Sequence, residues 1–358
     1  MCIKKKLLID CRMLHNSGIG VYTEQIIQQI IKYPFLTVKL LINEDQEKNV
    51  LESYPGIELV MTKYNRYDFR NLYFNNYKLK DFDFYFVPFL SVMPLYVPRV
   101  KIISTIHDLC PIHLRKIFGW KNGCIYWILM LIQLLSSKKI IAISNFTKDQ
   151  LSYYYMGLFD SKIAVIYNGV TERLCTINED SPMKELHLES ERFGIVVGNV
   201  KPHKNVIQLI EYCCQNSHLF NFKLIVIGQL DGFRTKVNNE KISSGNIIFT
   251  GKVSDEQLVN FYQNASFFVY PSLYEGFGLP LLEAMYYNLK IFASDIEIFK
   301  EIAGPKISYF NPHSFDGLID SINYYLDSDC PKNYSYSDVL SKYTWFNTGK
   351  ETVEYIVN

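Results

Sequence analysis

Short apolar runs recur along the chain, each closed by a polar or glycine-bearing stretch and separated from the next by segments of helical period. Such unbroken runs read as strands buried on both faces, because a strand of a helix-covered parallel sheet shows no in–out alternation. The first series predicts strands at Lys6–Asp10, Val38–Ile42, Phe84–Val87, Lys101–Ile106, Ile140–Ile143 and Ala164–Ile166. A glycine-bearing loop over His15–Gly20 follows the first of them and leads into a helix that runs to about Ile31. The second series predicts strands at Phe193–Val197, Lys223–Ile227, Ile247–Thr250, Phe267–Tyr270 and Lys290–Ala293, with helices opening near Asn205, Asp255 and Pro280. Between the series, Thr171–Glu191 is polar and irregular and carries Ser181-Pro182, the composition of a linker. The expected fold class is therefore α/β, with two doubly wound parallel sheets. The first domain is expected over residues 1–178, the second over 190–340, and a last helix within 341–358.

Composition narrows the class without fixing it. A chain of 358 residues with 48% hydrophobic residues can bury two sizeable cores. A formal charge of +1 supplies no overall field, which argues against nucleic acid as a partner. The eight cysteines show no Cys-x-x-Cys spacing and no metal-ligand pattern, and no signal peptide precedes the first strand, so a reduced, cytoplasmic chain is expected.

Candidate chemistry concentrates after the run Phe267–Tyr270, in Pro271-Ser-Leu-Tyr-Glu275-Gly-Phe-Gly-Leu-Pro-Leu-Leu-Glu283. A strand, a glycine turn and a helix start marked by Pro280 form an anion site, because free N–H groups and the helix dipole attract phosphate or a polar sugar. Gly276 and Gly278 let backbone approach a ligand closely. The flanking carboxylates are acceptors only, so their natural partners are hydroxyls, as on a ribose or a hexose.

The stretch Glu275-Gly-Phe-Gly-Leu-Pro-Leu-Leu-Glu283 resembles the signature of the family 4 glycosyltransferases. That resemblance implies the GT-B fold, two Rossmann-like domains facing a cleft, with a last helix that crosses back to the first domain. It also implies that Glu275 lies by the donor sugar, that Glu283 binds the nucleotide ribose, and that Gly276, Phe277, Gly278 and Leu279 line the donor. In the first domain, Thr105-Ile-His-Asp-Leu109 is similar to the family's His-Asp segment, which makes His107 the residue that contacts the transferred sugar beside the leaving phosphate. Asp108 is free to fix the tautomer of His107 or to cap the next turn. In Val197-Gly-Asn-Val-Lys-Pro-His-Lys-Asn205, Lys204 matches the lysine that offsets diphosphate charge as the bond breaks. Asn199 and His203 stand where relatives frequently carry Arg, and Lys201 is a second cation of the loop.

Gly18 and Gly20 resemble the family's first glycine loop, and Thr250-Gly-Lys-Val-Ser254 resembles the segment lining the base pocket around Lys252 and Val253. Two Asp-x-Asp triplets, Asp81-Phe-Asp83 and Asp327-Ser-Asp329, lie before a strand and in a late polar turn, the wrong places for a metal-bridged diphosphate. No metal and no cofactor are expected. The run Cys124–Leu135, flanked by Arg115, Lys116 and Lys121 on one side and by Lys138 and Lys139 on the other, is too short to cross a bilayer, which needs roughly 20 residues. It reads as a helix packed on the first sheet, its other side open to contact with lipid at the inner face of the cytoplasmic membrane. Asn288 stands where the family has glycine, and asparagine tolerates a left-handed turn.

The resemblance implies a retaining, metal-independent hexosyltransferase with a nucleoside-diphosphate sugar donor, GDP-mannose first. Its acceptor would be a hydroxyl of a growing, lipid-linked glycan of the bacterial surface. Two other readings stand beside it: a nucleotide-sugar 2-epimerase of the same fold, and a non-catalytic partner in a polysaccharide assembly complex.

Overall fold

The computed structural model describes residues 4–14, 17–73, 78–170, 182–188, 191–229, 245–328 and 334–358. The chain divides into two units, residues 1–169 with 343–358, and residues 170–342. The expected linker falls mostly outside the described residues.

In the first unit the strands are β1 (Lys5–Asp10), β2 (Leu36–Asn43), β3 (Glu58–Thr62), β4 (Phe84–Val87), β5 (Lys101–Ile106), β6 (Lys139–Ala142) and β7 (Ile163–Val165). The helices between them are α1 (Ser17–Ile30), α2 (Glu47–Ser53), α3 (Cys110–His113), α4 (Arg115–Phe118), α5 (Trp120–Ser136) and α6 (Asn145–Tyr154). The sheet runs β3-β2-β1-β4-β5-β6-β7, parallel at every pairing, and reverses its order between β1 and β4. Its middle strands are unbroken apolar runs because helices cover both faces; all four residues of β4 are buried. The edge strand β3 lacks that signature. Its sequence Glu-Leu-Val-Met-Thr is mostly half-exposed, and periodicity alone does not mark it.

The second unit repeats the plan with β8 (Phe193–Val197), β9 (Lys223–Ile227), β10 (Ile247–Gly251), β11 (Phe267–Tyr270), β12 (Lys290–Ser294) and β13 (Ser308–Phe310). Its helices are α7 (Pro182–Glu185), α8 (Val206–Gln215), α9 (Asp255–Asn264), α10 (Leu279–Tyr286), α11 (Glu297–Ala303), α12 (Leu318–Asp327) and α13 (Ser337–Leu340). The parallel order β10-β9-β8-β11-β12-β13 is that of a Rossmann sheet, reversing between β8 and β11. One core lies between α8, α12 and the sheet, where Ile210, Val226, Phe267 and Ile322 meet. The three-residue edge strand β13 escapes a reading by pattern for the same reason as β3.

The last helix, α14 (Trp345–Val357), belongs to the first unit and packs along α1. It begins at Trp345, because the Thr344 side chain accepts the N–H of Asn347 and sets the N-terminus there. The two helices approach so closely that a Cβ on Gly349 would lie 2.3 Å from Cβ of Gln29.

Candidate functional site

Where a doubly wound sheet reverses its order, the loops leaving the two central strands diverge and open a crevice at the carboxyl ends. In the second unit those loops follow β8 and β11. The β8 loop starts at Gly198 (φ 141°), whose N–H bonds to Ile227 O at 2.9 Å. A Cβ on the neighbouring Gly228 would lie 2.2 Å from Gly198 O, so the loops after β8 and β9 meet backbone to backbone. The chain then makes a short turn through Pro202–Lys204, and the N–H of Leu273, from the β11 loop, bonds to His203 O at 2.8 Å. This tie brings Lys204 and Glu275 together. Lys204 Nζ donates to Glu275 Oε1 at 2.6 Å, and Ser272 Oγ donates to the same oxygen at 2.6 Å.

The side chains of Lys204 and Glu275 are 20% and 11% exposed, enough burial to strengthen the pair and enough opening to admit a ligand. Burial pushes the Glu275 carboxyl up, but Lys204 and the adjacent His203 outweigh it and hold the carboxyl below the usual range. The same burial, helped by Lys204 and Lys201 against the opposing Glu275, lowers His203 to about 4. At neutral pH the crevice therefore holds an ammonium, a carboxylate and a neutral imidazole. The ammonium spends one of its three donors on Glu275.

Helix α10 opens next to this pair. Gly278 precedes it in the left-handed region (φ 105°), with Pro280 in the first turn, so α10 starts sharply; Pro280 carries no N–H, and the N–H of Leu281 bonds to Gly278 O at 2.9 Å. A Cβ on Gly278 would stand 3.1 Å from Phe299 Cε1, so steric room and backbone angle both call for glycine. Gly276 and Phe277 are buried. Glu283, one turn into α10, accepts from Tyr262 Oη at 2.9 Å, and the Tyr262 ring stacks on Tyr287 at 10° and 5.3 Å. Sequence reasoning did not find Tyr262: it lies on the buried side of α9, where a tyrosine reads as core. The available signal was its phenol, which needs a partner once buried. Asn288, just past α10, does adopt φ 55°, the left-handed turn that asparagine tolerates.

The remaining donor candidates leave the same sheet edge. Asn199 is exposed and its Oδ1 accepts the N–H of Gln229 at 3.2 Å. Lys252 is exposed and Val253 half-buried, between Gly251 (φ 69°) and a capping box in which Ser254 and Gln257 fix the start of α9.

In the first unit His107 directly follows β5. Its Nε2 lies 2.8 Å from Pro88 O, at the end of the neighbouring β4, and its ring meets the Tyr22 ring edge to face at 4.8 Å. A carbonyl only accepts, so Nε2 carries the proton and Nδ1 presents a lone pair. Burial lowers the imidazole to about 4, against the small opposing effect of Pro88 O, and it is neutral at physiological pH. Of the two roles open to Asp108, capping is the one seen: its Oδ1 accepts the N–H of Cys110 at 2.8 Å, whereas Pro88 fixes the tautomer.

The glycine loop requires a correction. Helix α1 already starts at Ser17, so Gly18 and Gly20 sit in its first turn and not in a loop. Glycine disfavours helix, but Tyr22, Ile26, Ile27 and Ile30 are fully buried along α1 and their packing overrides propensity. Gly18 is exposed and Gly20 buried.

A second feature missed by sequence closes β1. Arg12 grips Asp10 through Nε at 2.9 Å and Nη2 at 2.6 Å, and reaches Tyr64 O at 3.0 Å and Ser91 Oγ at 3.1 Å, while Tyr85 Oη donates to Asp10 at 2.9 Å. This buried network ties the loops after β1, β3 and β4. The Asp triplets are occupied differently: Asp83 accepts the N–H of Lys6 at the amino edge of the sheet, Asp327 pairs with Arg192, and Asp329 lies outside the described residues.

Residues 18–173 match a family model described as Glycosyltransferase Family 4, and residues 178–342 one described as Glycosyl transferases group 1. The chain is 31% identical over 212 residues to the O-antigen chain mannosyltransferase RfbU of Salmonella typhimurium, covering 58% of this chain and 56% of that protein. It is 25% identical over 269 residues to the serotype-specific mannosyltransferase WbdA of Escherichia coli, covering 71% of this chain and 33% of that protein. The match thus spans about a third of WbdA and a little over half of RfbU. Among solved structures, Anabaena Alr3699/HepE in complex with UDP and glucose superposes with a TM-score of 0.74 at 16% identity over 98% of each chain. WaaG, a glycosyltransferase involved in lipopolysaccharide biosynthesis, superposes with a TM-score of 0.71 at 14% identity over 99% of this chain and 100% of that one. At these identities the likeness is one of fold, and the fold is GT-B.

Proposed function

The chain belongs to the family 4 glycosyltransferases, and from that premise we propose that it moves mannose from GDP-mannose to a hydroxyl of a growing, lipid-linked glycan of the bacterial surface, at the inner face of the cytoplasmic membrane. The names of RfbU and WbdA support mannose as the sugar, and that of RfbU an O-antigen chain as the glycan. The observation that carries the site is the 2.6 Å contact between Lys204 and Glu275, with Glu283 eight residues further on, one turn into α10. Glu283, steadied by Tyr262, accepts from the ribose hydroxyls. Lys204, with the positive end of the α10 dipole, takes the diphosphate, whose negative charge grows as the glycosidic bond breaks. Glu275, held ionised by Lys204, accepts from hexose hydroxyls. His107, neutral and with Nδ1 as acceptor, takes another hydroxyl of the same sugar. The acceptor attacks the anomeric carbon from the face the phosphate leaves, the phosphate oxygen takes its proton, and configuration is retained. Phosphate charge is met by Lys204 and the dipole of α10 in this reading, so turnover needs no metal.

The test is a panel of GDP, UDP, dTDP and ADP sugars incubated with the enzyme and a glycan acceptor in EDTA. A donor at a hundred times its dissociation constant should also add about 2.7 kcal/mol of stability in a thermal shift. Transfer of mannose with retention, undiminished by EDTA, is the expected result. Loss of turnover in EDTA with rescue by manganese would overturn the metal-free mechanism. Conversion of the donor sugar without any acceptor would replace the transferase reading with an epimerase.

A further inference from the structure

Strand β11 ends on Tyr270, which is 1% exposed and whose hydroxyl meets no hydrogen-bond partner among the described residues. Buried phenols normally have one, because an O–H taken out of water and left unmet is destabilising. The ring has little room to turn away. Phe299 stacks on it at 4.7 Å and 28°, and a Cβ on Gly278 would already stand 3.5 Å from Cε1 of Tyr270. Lys204 Nζ lies over the same ring, 5.6 Å from its centre. Tyr270 is thus built into the junction of β11, the Lys204 loop and the start of α10.

Both carboxylates of the crevice act on this hydroxyl. Burial pushes the phenol well above its ordinary range, and the charges of Glu275 and then Glu283 push it further, so it stays protonated and can only serve as a donor. Glu275 is the acceptor whose charge it feels most, yet that carboxylate is held elsewhere: Lys204 Nζ and Ser272 Oγ both donate to Oε1 at 2.6 Å. A carboxylate has about four acceptor sites, so capacity for a further donor remains. Lys204 is also the group that a diphosphate would claim. As the phosphate gathers charge it competes with Glu275 for the ammonium, and a carboxylate as buried as Glu275 is destabilised when its cation is drawn off without a replacement.

We propose that Tyr270 is the positioning residue of Glu275: when the diphosphate draws Lys204 away, the phenol donates to the carboxylate in its place and keeps it ionised and aimed at the hexose. The free protein leaves the hydroxyl unmet and the donor complex satisfies it. This exchange presupposes Lys204 at the diphosphate, as proposed above, and gives a task to Tyr270, which has none in that mechanism.

Melting temperatures of Tyr270→Phe, Lys204→Met and the double variant test the exchange without any ligand, since Lys204→Met removes the ammonium and keeps an unbranched stem. In the parent background Tyr270→Phe should leave the melting temperature unchanged or raised, because the hydroxyl it removes has no partner there. In the Lys204→Met background the phenol already holds Glu275, and Tyr270→Phe should lower the melting temperature by about 3–6 °C, the worth of one hydrogen bond to a charged group in a unit of this size. Titration with GDP reads the ligand-driven half. Tyr270→Phe should bind GDP about tenfold more weakly than the parent, and should add no further loss in the Lys204→Met background. A purely structural phenol would lower the melting temperature equally in both backgrounds, and that result would overturn the proposal. So would parent-like affinity of Tyr270→Phe for GDP where Lys204→Met has lost it. If Lys204→Met binds GDP as the parent does while the two melting shifts differ as expected, the exchange at Glu275 is supported and the diphosphate role of Lys204 falls, so the two readings fail separately.

Discussion

Glu283 is oriented by a phenol that comes from another helix, and this makes its role separable from that of its neighbours. Glu283→Ala should weaken binding of a bare nucleoside diphosphate by about 1.5–3 kcal/mol, the worth of hydrogen bonds to a charged group. Tyr262→Phe removes only the 2.9 Å bond that steadies the carboxylate, and should cost about 1 kcal/mol in the same titration. Calorimetry that finds Glu283→Ala equal to the parent would take Glu283 out of the ribose role. The two lowered imidazoles give a second measurement. His107 and His203 stay unprotonated in the fold down to about 4 but bind protons below 6.5 when unfolded. The unfolded chain therefore holds more protons between those values, and stability falls as pH drops through that window, by on the order of 2 kcal/mol per imidazole. His107→Gln/His203→Gln should keep more of its urea midpoint than the parent between pH 6.5 and about 4. An equal loss in both proteins would contradict buried, neutral rings.

The start of α10 rests on Gly278, and two glycines distinguish angle from space. Gly278→Ala meets both a φ of 105° and Phe299 at 3.1 Å, and should lose about 1–3 kcal/mol of stability together with donor affinity. Gly251→Ala, with φ 69° and nothing within 4 Å, should lose only about 1 kcal/mol. Equal melting shifts would show that the contact with Phe299 does not matter. The elements that were legible in the sequence are those whose signal is local. β4 and β11 are runs buried at every position, and the Glu275–Glu283 segment announces a strand, a turn and a helix start within its own residues. β3 and β13 were not legible: each starts on a polar residue, Glu58 and Ser308, and buries a single position, whereas the other edge strands, β7 and β10, open on apolar residues and were read. The helical start of α1 was hidden behind glycines whose propensity packing overrules. Tyr262 with Glu283, and Arg12 with Tyr64 and Ser91, were hidden because each partner is contributed by a distant stretch of chain.

Two Rossmann-like units each carry candidate residues at the carboxyl edge of a sheet, and Lys204, Glu275 and Glu283 come from the loops and the helix that flank the point where strand order reverses in the second. That placement follows from topology: the β8 and β11 loops must diverge there, and the first unit sets His107 on the carbonyl that ends β4. The division of labour proposed for them gives the nucleotide to the second unit and requires a contribution from each unit at the transferred sugar. A structure with intact donor bound tests this in one step. Glu283 should lie within hydrogen-bond reach of the ribose hydroxyls, Lys204 of the diphosphate, and Glu275 and His107 of one and the same hexose. A donor seated elsewhere, or seated there with His107 turned into the first unit's core and away from the sugar, would contradict it.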